Sequence, residues 1–160
     1  MIVCSGLIAS QLDALKRHSV VVADTCDIDS VARWRPQDAT TNLSLLLTAA
    51  QDPRYRPLVE NALARGKGNA EATLEWLFVL FGREILQHVA GRVSTEVDAR
   101  FSFDAEGTIA KARRLIGLYA EAGVPRSRIL VKVAATWQGI RAAERLERAG
   151  YRANAHCEPW

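Results

Sequence analysis

The chain has little of what metal, redox, membrane or nucleic-acid chemistry requires. Its three cysteines, Cys4, Cys26 and Cys157, are odd in number and share no ligand or redox spacing. That excludes a zinc ribbon or a C-x-x-C motif and points to reduced thiols in a cytoplasmic compartment. His18, His88 and His156 lie far apart, so neither a metal nor any other cofactor is expected. No stretch reaches the roughly 18 apolar residues of a membrane span. The opening MIVCSGLIAS is apolar but short and without a basic flank, so no signal peptide is expected. Runs of like charge and basic–aromatic interleaving are missing, and nucleic acid is therefore not an expected partner. Repeats, low-complexity segments and linkers are absent too, which leaves one domain or part of one. Lysine is scarce, with the net charge of +3 carried mostly by arginine. A mild positive balance of that kind suits an anionic metabolite.

At 160 residues, 49% hydrophobic and 24% charged, the chain can bury a core as an ordinary soluble domain. Four short apolar runs read as strands: Ser19 to Thr25, Asp38 to Asn42, Gly91 to Arg100, and a last one in ILVKVAATWQGI from Ile129. Between the second and third, Leu43 to about Val89 reads as helix, broken near Asp52-Pro53 and at Gly66-Lys67-Gly68. Ile109, Ala112, Leu115, Ile116 and Tyr119 recur at helical spacing, with Asp104 as N-cap and Gly123 as stop. After the last strand, Ile140, Ala143, Leu146 and Ala149-Gly150 form an apolar stripe, and Glu144 pairs with Arg148 on the solvent side. Strands alternating with helices predict parallel strands covered by helices, an α/β fold.

Side chains two apart in a strand share a face. Val93, Thr95 and Val97 therefore oppose Ser94, Glu96 and Asp98; Val21 and Ala23 oppose Val20, Val22 and Asp24. Ile129, Val131 and Val133 oppose Leu130, Lys132 and Ala134. Each strand has one hydrocarbon face and one that carries an ionisable group. A lone lysine in an apolar run usually marks an edge strand in water, and a lone carboxylate a strand end. Three such strands together instead predict a sheet curled so that Asp24, Glu96 and Lys132 converge, as in a (β/α) barrel with its site at the C-terminal strand ends. Burial disfavours the ammonium form of a lysine and makes a nucleophilic amine available near neutral pH. Such an amine forms a Schiff base with a ketone, and two carboxylates can move the protons.

DATTNLSL (Asp38 to Leu45), GRVSTEVDAR and ILVKVAATWQGIRAAERLE, with VVVADTCDID before them, resemble the transaldolases of the pentose phosphate pathway. The resemblance runs from about residue 10 to Asn154, with the long helical region its least specific part. It implies a (β/α)8 TIM barrel, here cut to about its first four strands, and transfer of a dihydroxyacetone unit from a ketose phosphate to an aldose phosphate. It makes Lys132 the Schiff-base lysine and Asp24 the acceptor of the donor hydroxyl's proton. Glu96 would work through a water during Schiff-base formation and release, and Asn42 would bind the dihydroxyacetone part. Thr40 and Ser94 would line the same site.

Two departures stand out. Leu43 occupies a position where the family usually has proline, which is pre-organised for the first helical turn. After Gly150 the family runs through an asparagine, matched by Asn154, into an apolar strand bearing a threonine that holds the catalytic water. Here His156 takes that position, and no apolar strand is expected to follow. Residues 1–154 thus read as the N-terminal half of the barrel and 155–160 as a divergent tail. The alternatives to an active transferase of sugar phosphates are an inactive fragment or relic, and a non-catalytic half barrel that self-associates through its exposed edges.

Overall fold

Five parallel strands pair in the order in which they leave the chain: β1 (Val22–Asp24), β2 (Asp38–Thr40), β3 (Val93–Glu96), β4 (Ile129–Ala134) and β5 (Ala153–His156). The computed structural model describes residues 10–156. The readings made for Cys4, Cys157, the opening segment and positions 157–160 of the tail fall outside that range. Helix α1 (Gln11–Lys16) precedes β1, and α2 (Ile28–Trp34) links β1 to β2. Three helices, α3 (Leu43–Ala50), α4 (Arg56–Gly66) and α5 (Ala70–Ile85), fill the long connection to β3; α6 (Ala105–Glu121) and α7 (Trp137–Arg148) make the next two crossovers. Each new strand is added on the same side of the last. This singly wound order keeps the helices on one face and lets the right-handed sheet twist accumulate toward a barrel, whereas a doubly wound sheet reverses its order.

The two faces separate as the alternation predicts. Ile129, Val131 and Val133 of β4 and Val93 and Thr95 of β3 are at most 2% exposed beneath the helices. Leu80, Phe81 and Ile85 of α5, Leu115 of α6 and Leu146 of α7 complete that core. On the opposite face Val20 and Val22 are 65% and 47% exposed.

Local signals set the helix ends. Asp104 caps α6 by accepting from the Gly107 amide at 2.9 Å, and Gly123 ends it at φ +81°, where glycine carries no steric penalty. The breaks in the long helical region appear as a 3-10 turn at Pro53–Tyr55 and the left-handed Lys67-Gly68 corner. Glu144 and Arg148 pair at 2.7 Å as the i,i+4 spacing requires.

Two elements differ from the sequence expectation. The buried face of α7 consists of Gly139, Ala142 and Leu146, while Ile140 is 46% exposed. A Cβ on Gly139 would collide with the Ala134 carbonyl oxygen. The helix approaches the end of β4 through that glycine, and this turns Ile140 outward. The second difference is β5, which forms despite the lack of an apolar run. The Val131 amide donates to the Arg152 oxygen at 2.9 Å and the Ala135 amide to the His156 oxygen at 2.8 Å. A parallel ladder is made by backbone groups, and an outermost strand can pair without burying side chains.

Candidate functional site

The strand register fixes the site. Asp24 pairs with Thr40, Thr40 with Ser94, and Ser94 with Leu130, making one rung across the open face. Two residues nearer the C-terminal strand ends, Glu96 pairs with Lys132 and Lys132 with Asn154. Residues paired in a parallel sheet point to the same side, so both rungs line the face away from the helices.

Lys132 and Glu96 are brought together. Lys132 is only 6% exposed, and its Nζ lies 4.0 Å from Glu96 Oε2. Ser94, 7% exposed, sits on the rung below. The Val97 amide donates to the Lys132 carbonyl at 2.9 Å, which extends the β3–β4 ladder past Glu96 and fixes the relative height of the two side chains. Thr41, buried beside them, donates its hydroxyl to the Ser94 carbonyl at 2.9 Å and ties the end of β2 to β3.

Asn42 follows as the N-cap of α3, its Oδ1 accepting from the Leu45 amide at 2.9 Å. Leucine at position 43 has therefore not cost the helix its start. The cap engages the carboxamide oxygen and leaves the nitrogen as the group able to donate to a substrate oxygen. A cavity of about 350 Å³ passes beneath Asn42 and Glu96 toward α5 and α6, floored by Leu74, Phe78 and Leu115. Glu75, in the same lining and 3% exposed, pairs with Lys111 at 2.5 Å and Arg114 at 2.6 Å, clamping α5 to α6.

Asp24 lies on the same face, at the end of an exposed edge strand three strands from β4. Next to Asp24, Cys26 is 2% exposed, and burial together with the Asp24 carboxylate pushes its thiol up to about 12. It is a packing residue rather than a nucleophile.

A polar cluster behind Asp24 carries no sequence signal. Tyr55 donates its hydroxyl to Asp27 Oδ1 at 2.7 Å, and Arg54 approaches the same carboxylate at 3.4 Å. These partners are 27 and 28 positions apart, so no periodicity or motif could have joined them. Among the described residues, no group of three or more His, Cys, Asp or Glu side chains is placed to hold a metal ion.

Comparison with known proteins gives the family. Residues 21–155 match the family model described as Transaldolase/Fructose-6-phosphate aldolase. The chain is 57% identical over 152 residues to a transaldolase of Haemophilus ducreyi, covering 91% of this chain and 48% of the relative. It is 54% identical over 152 residues to "Transaldolase 1" of Pectobacterium atrosepticum, with the same 91% and 48% coverage. Against a transaldolase of Sus scrofa it is 56% identical over 145 residues, covering 86% of this chain and 43% of the relative. The chain thus spans about half the length of the curated relatives it matches.

Proposed function

The chain belongs to the transaldolase/fructose-6-phosphate aldolase family, and on that premise we propose that its site handles the ketose half of a dihydroxyacetone transfer between sugar phosphates. The observation that carries the reading is the buried Lys132 side chain, its Nζ 4.0 Å from Glu96, on the rung it shares with Asn154. The Lys132 amine adds to the ketone carbonyl of a ketose phosphate such as fructose 6-phosphate. Glu96, acting through a water, supplies the proton with which the carbinolamine hydroxyl leaves as water, and the nitrogen lone pair closes the C=N bond. The iminium then draws the electrons of the neighbouring carbon–carbon bond as it breaks. Asp24 takes the proton of the hydroxyl that becomes the aldehyde carbonyl. The three-carbon enamine left on Lys132 attacks an acceptor aldose phosphate, and hydrolysis frees the lysine. Asn42 holds the dihydroxyacetone oxygens from the start of α3, while Thr40 and Ser94 line the floor one rung below. The cytoplasm, where sugar phosphates are metabolised, is the proposed compartment.

A second reading is favoured by the exposed inner face and by β1 and β5, the two outermost strands of the sheet. In it the chain alone carries out no complete transfer, either as an inactive half or as a half barrel that self-associates along these edges. A divergent tail from 155 onward belongs to that reading.

Incubation with fructose 6-phosphate followed by borohydride reduction decides between them. The first reading expects a dihydroxyacetone-sized adduct on Lys132 by peptide mass spectrometry, and none in Lys132→Ala. An unmodified wild-type chain overturns it. Sedimentation tests self-association: a single defined oligomer supports it, and a monomer or polydisperse aggregate counts against it.

A further inference from the structure

Asp24 is the last residue of a three-residue edge strand that pairs on one side, with β2. A ladder that short leaves the strand end free to fray, because few backbone bonds hold it and one side has no neighbouring strand among the described residues. Yet the turn that follows is tied into the core. The Asp27 amide donates to Thr25 Oγ1 at 3.0 Å, and Asp27 Oδ2 accepts from the Ser30 hydroxyl at 2.6 Å. The Tyr55 hydroxyl makes two bonds at once, donating to Asp27 Oδ1 at 2.7 Å and accepting from the Ile28 amide at 3.0 Å. The Tyr55 ring is 7% exposed and stands edge-on to Phe81, at 5.3 Å between centroids and 70° between planes. Phe81 is itself fully buried in α5. Arg54 covers the outside of the tyrosine ring and approaches Asp27 at 3.4 Å. The order of connection is thus α5, Tyr55, Asp27 and Ile28, and then the turn that begins at Asp24.

We propose that Tyr55 is a positioning residue for Asp24, its hydroxyl pinning the β1–α2 turn through Asp27 and Ile28 so that the aspartate stands at a fixed height on the open face. This rests on the transfer reading for its catalytic consequence but not for the clamp itself. Lys132 and Glu96 are held by the β3–β4 ladder, so the clamp acts on the carbon–carbon bond step and leaves imine formation alone. In that step the proton moves from the donor's hydroxyl to the Asp24 carboxylate, and the bond's electron pair moves into the iminium.

The test uses Cys26, buried between Asp24 and Asp27, as a reporter. Iodoacetamide labelling of the full chain at fixed pH, without substrate, is followed at Cys26 by peptide mass spectrometry. Tyr55→Phe keeps the ring and removes the hydroxyl; losing its hydrogen bonds is expected to raise Cys26 labelling about tenfold. Asp27→Ala is expected to do the same. Asp27→Asn, whose carboxamide oxygen still accepts from Tyr55, is expected to restore most of the protection, which also covers the case that Tyr55→Phe fails to fold. With fructose 6-phosphate, Tyr55→Phe is expected to keep the total Lys132 adduct at the wild-type level but shift it from dihydroxyacetone-sized to fructose 6-phosphate-sized, with several-fold less released glyceraldehyde 3-phosphate. Equal Cys26 labelling in wild type, Tyr55→Phe and Asp27→Ala overturns the clamp. Equal losses of adduct and aldehyde overturn its assignment to Asp24. Absence of adduct in the wild type overturns the transfer reading, and the substrate-free Cys26 result still decides the clamp.

Discussion

The middle of the sheet and its margin carry the same kind of residue under different conditions. Lys132 and Glu96, on β4 and β3, have paired strands on either side and helices behind, and Lys132 is almost out of water. Asp24 shares their face but ends an edge strand, exposed, with Val22 beside it 47% exposed. Alternation put all three on one side of the sheet; burial came only where neighbouring strands stood on both flanks. The difference separates two contributions to a barrel site. Register, a local property, aligns the groups. Enclosure needs the opposite wall and cannot be supplied by the strand that bears the residue.

The largest effect should come from charging the enclosed side of the middle. Val131→Asp places a carboxylate at a fully buried position under α6 and α7; an unpaired buried charge costs several kcal/mol, so this variant should not fold cooperatively. Val22→Asp at the margin should stay within about 0.5 kcal/mol of wild type in a urea titration. Equal losses at the two sites would erase the distinction drawn here.

Glu75 comes next. Glu75→Ala removes the buried partner of Lys111, whose ammonium keeps Glu71 at 2.5 Å, so the loss in a denaturation curve should be about 1.5 kcal/mol, that of a charge-assisted hydrogen bond. A loss under about 0.5 kcal/mol would mean that the α5–α6 clamp contributes little to the middle of the sheet.

The margin should respond to pH through Tyr55 and Asp27. Burial, with the hydrogen bond to Asp27, pushes the Tyr55 phenol up to about 12, above the roughly 10 of a free tyrosine. The stability it contributes is complete below about pH 10 and is lost as pH rises toward the folded value. Hydrogen bonds from Ser30 and Tyr55 hold the Asp27 carboxyl below its usual range. Its contribution is therefore present above about pH 4 and lost as pH falls through the lowered value. Tyrosinate absorbance should show a late step from which Tyr55→Phe removes one tyrosine, while Tyr119, raised by its burial, keeps its own. Titration of Tyr55 at the ordinary value would break the link between Tyr55 and Asp27.

The smallest effect concerns Leu43. Asn42 already has an extended backbone, with φ −142° and ψ 171°, that accepts a following proline. Leu43→Pro should raise stability by about 0.5 kcal/mol through a less flexible unfolded chain. Destabilisation would mean that the Leu43 side chain or amide makes a contact that proline cannot replace.

Much of this was legible before the structure. Alternation in GRVSTEVDAR and ILVKVAAT identified the buried and open faces, because a strand's period is fixed by its backbone. Asp104 and Gly123 read correctly because caps act within a few residues. β5 was not legible, since ladder hydrogen bonds between backbones leave no mark on an outermost strand's side chains. Nor was the rotation of α7, set by how closely Gly139 approaches the Ala134 carbonyl, a contact helical periodicity does not encode. The Tyr55–Asp27 bond was invisible for the same reason at longer range. Strand alternation placed Asp24 on the correct face but said nothing of its separation from Lys132, which depends on how far the sheet has closed.

The central claim is that register and burial single out one amine among four lysines. Reductive trapping with fructose 6-phosphate, quantified at every lysine-containing peptide, tests it most directly. Adduct is expected at Lys132, with background at the exposed Lys16 and Lys67. Adduct spread evenly over the exposed lysines, with Lys132 no higher, would contradict it.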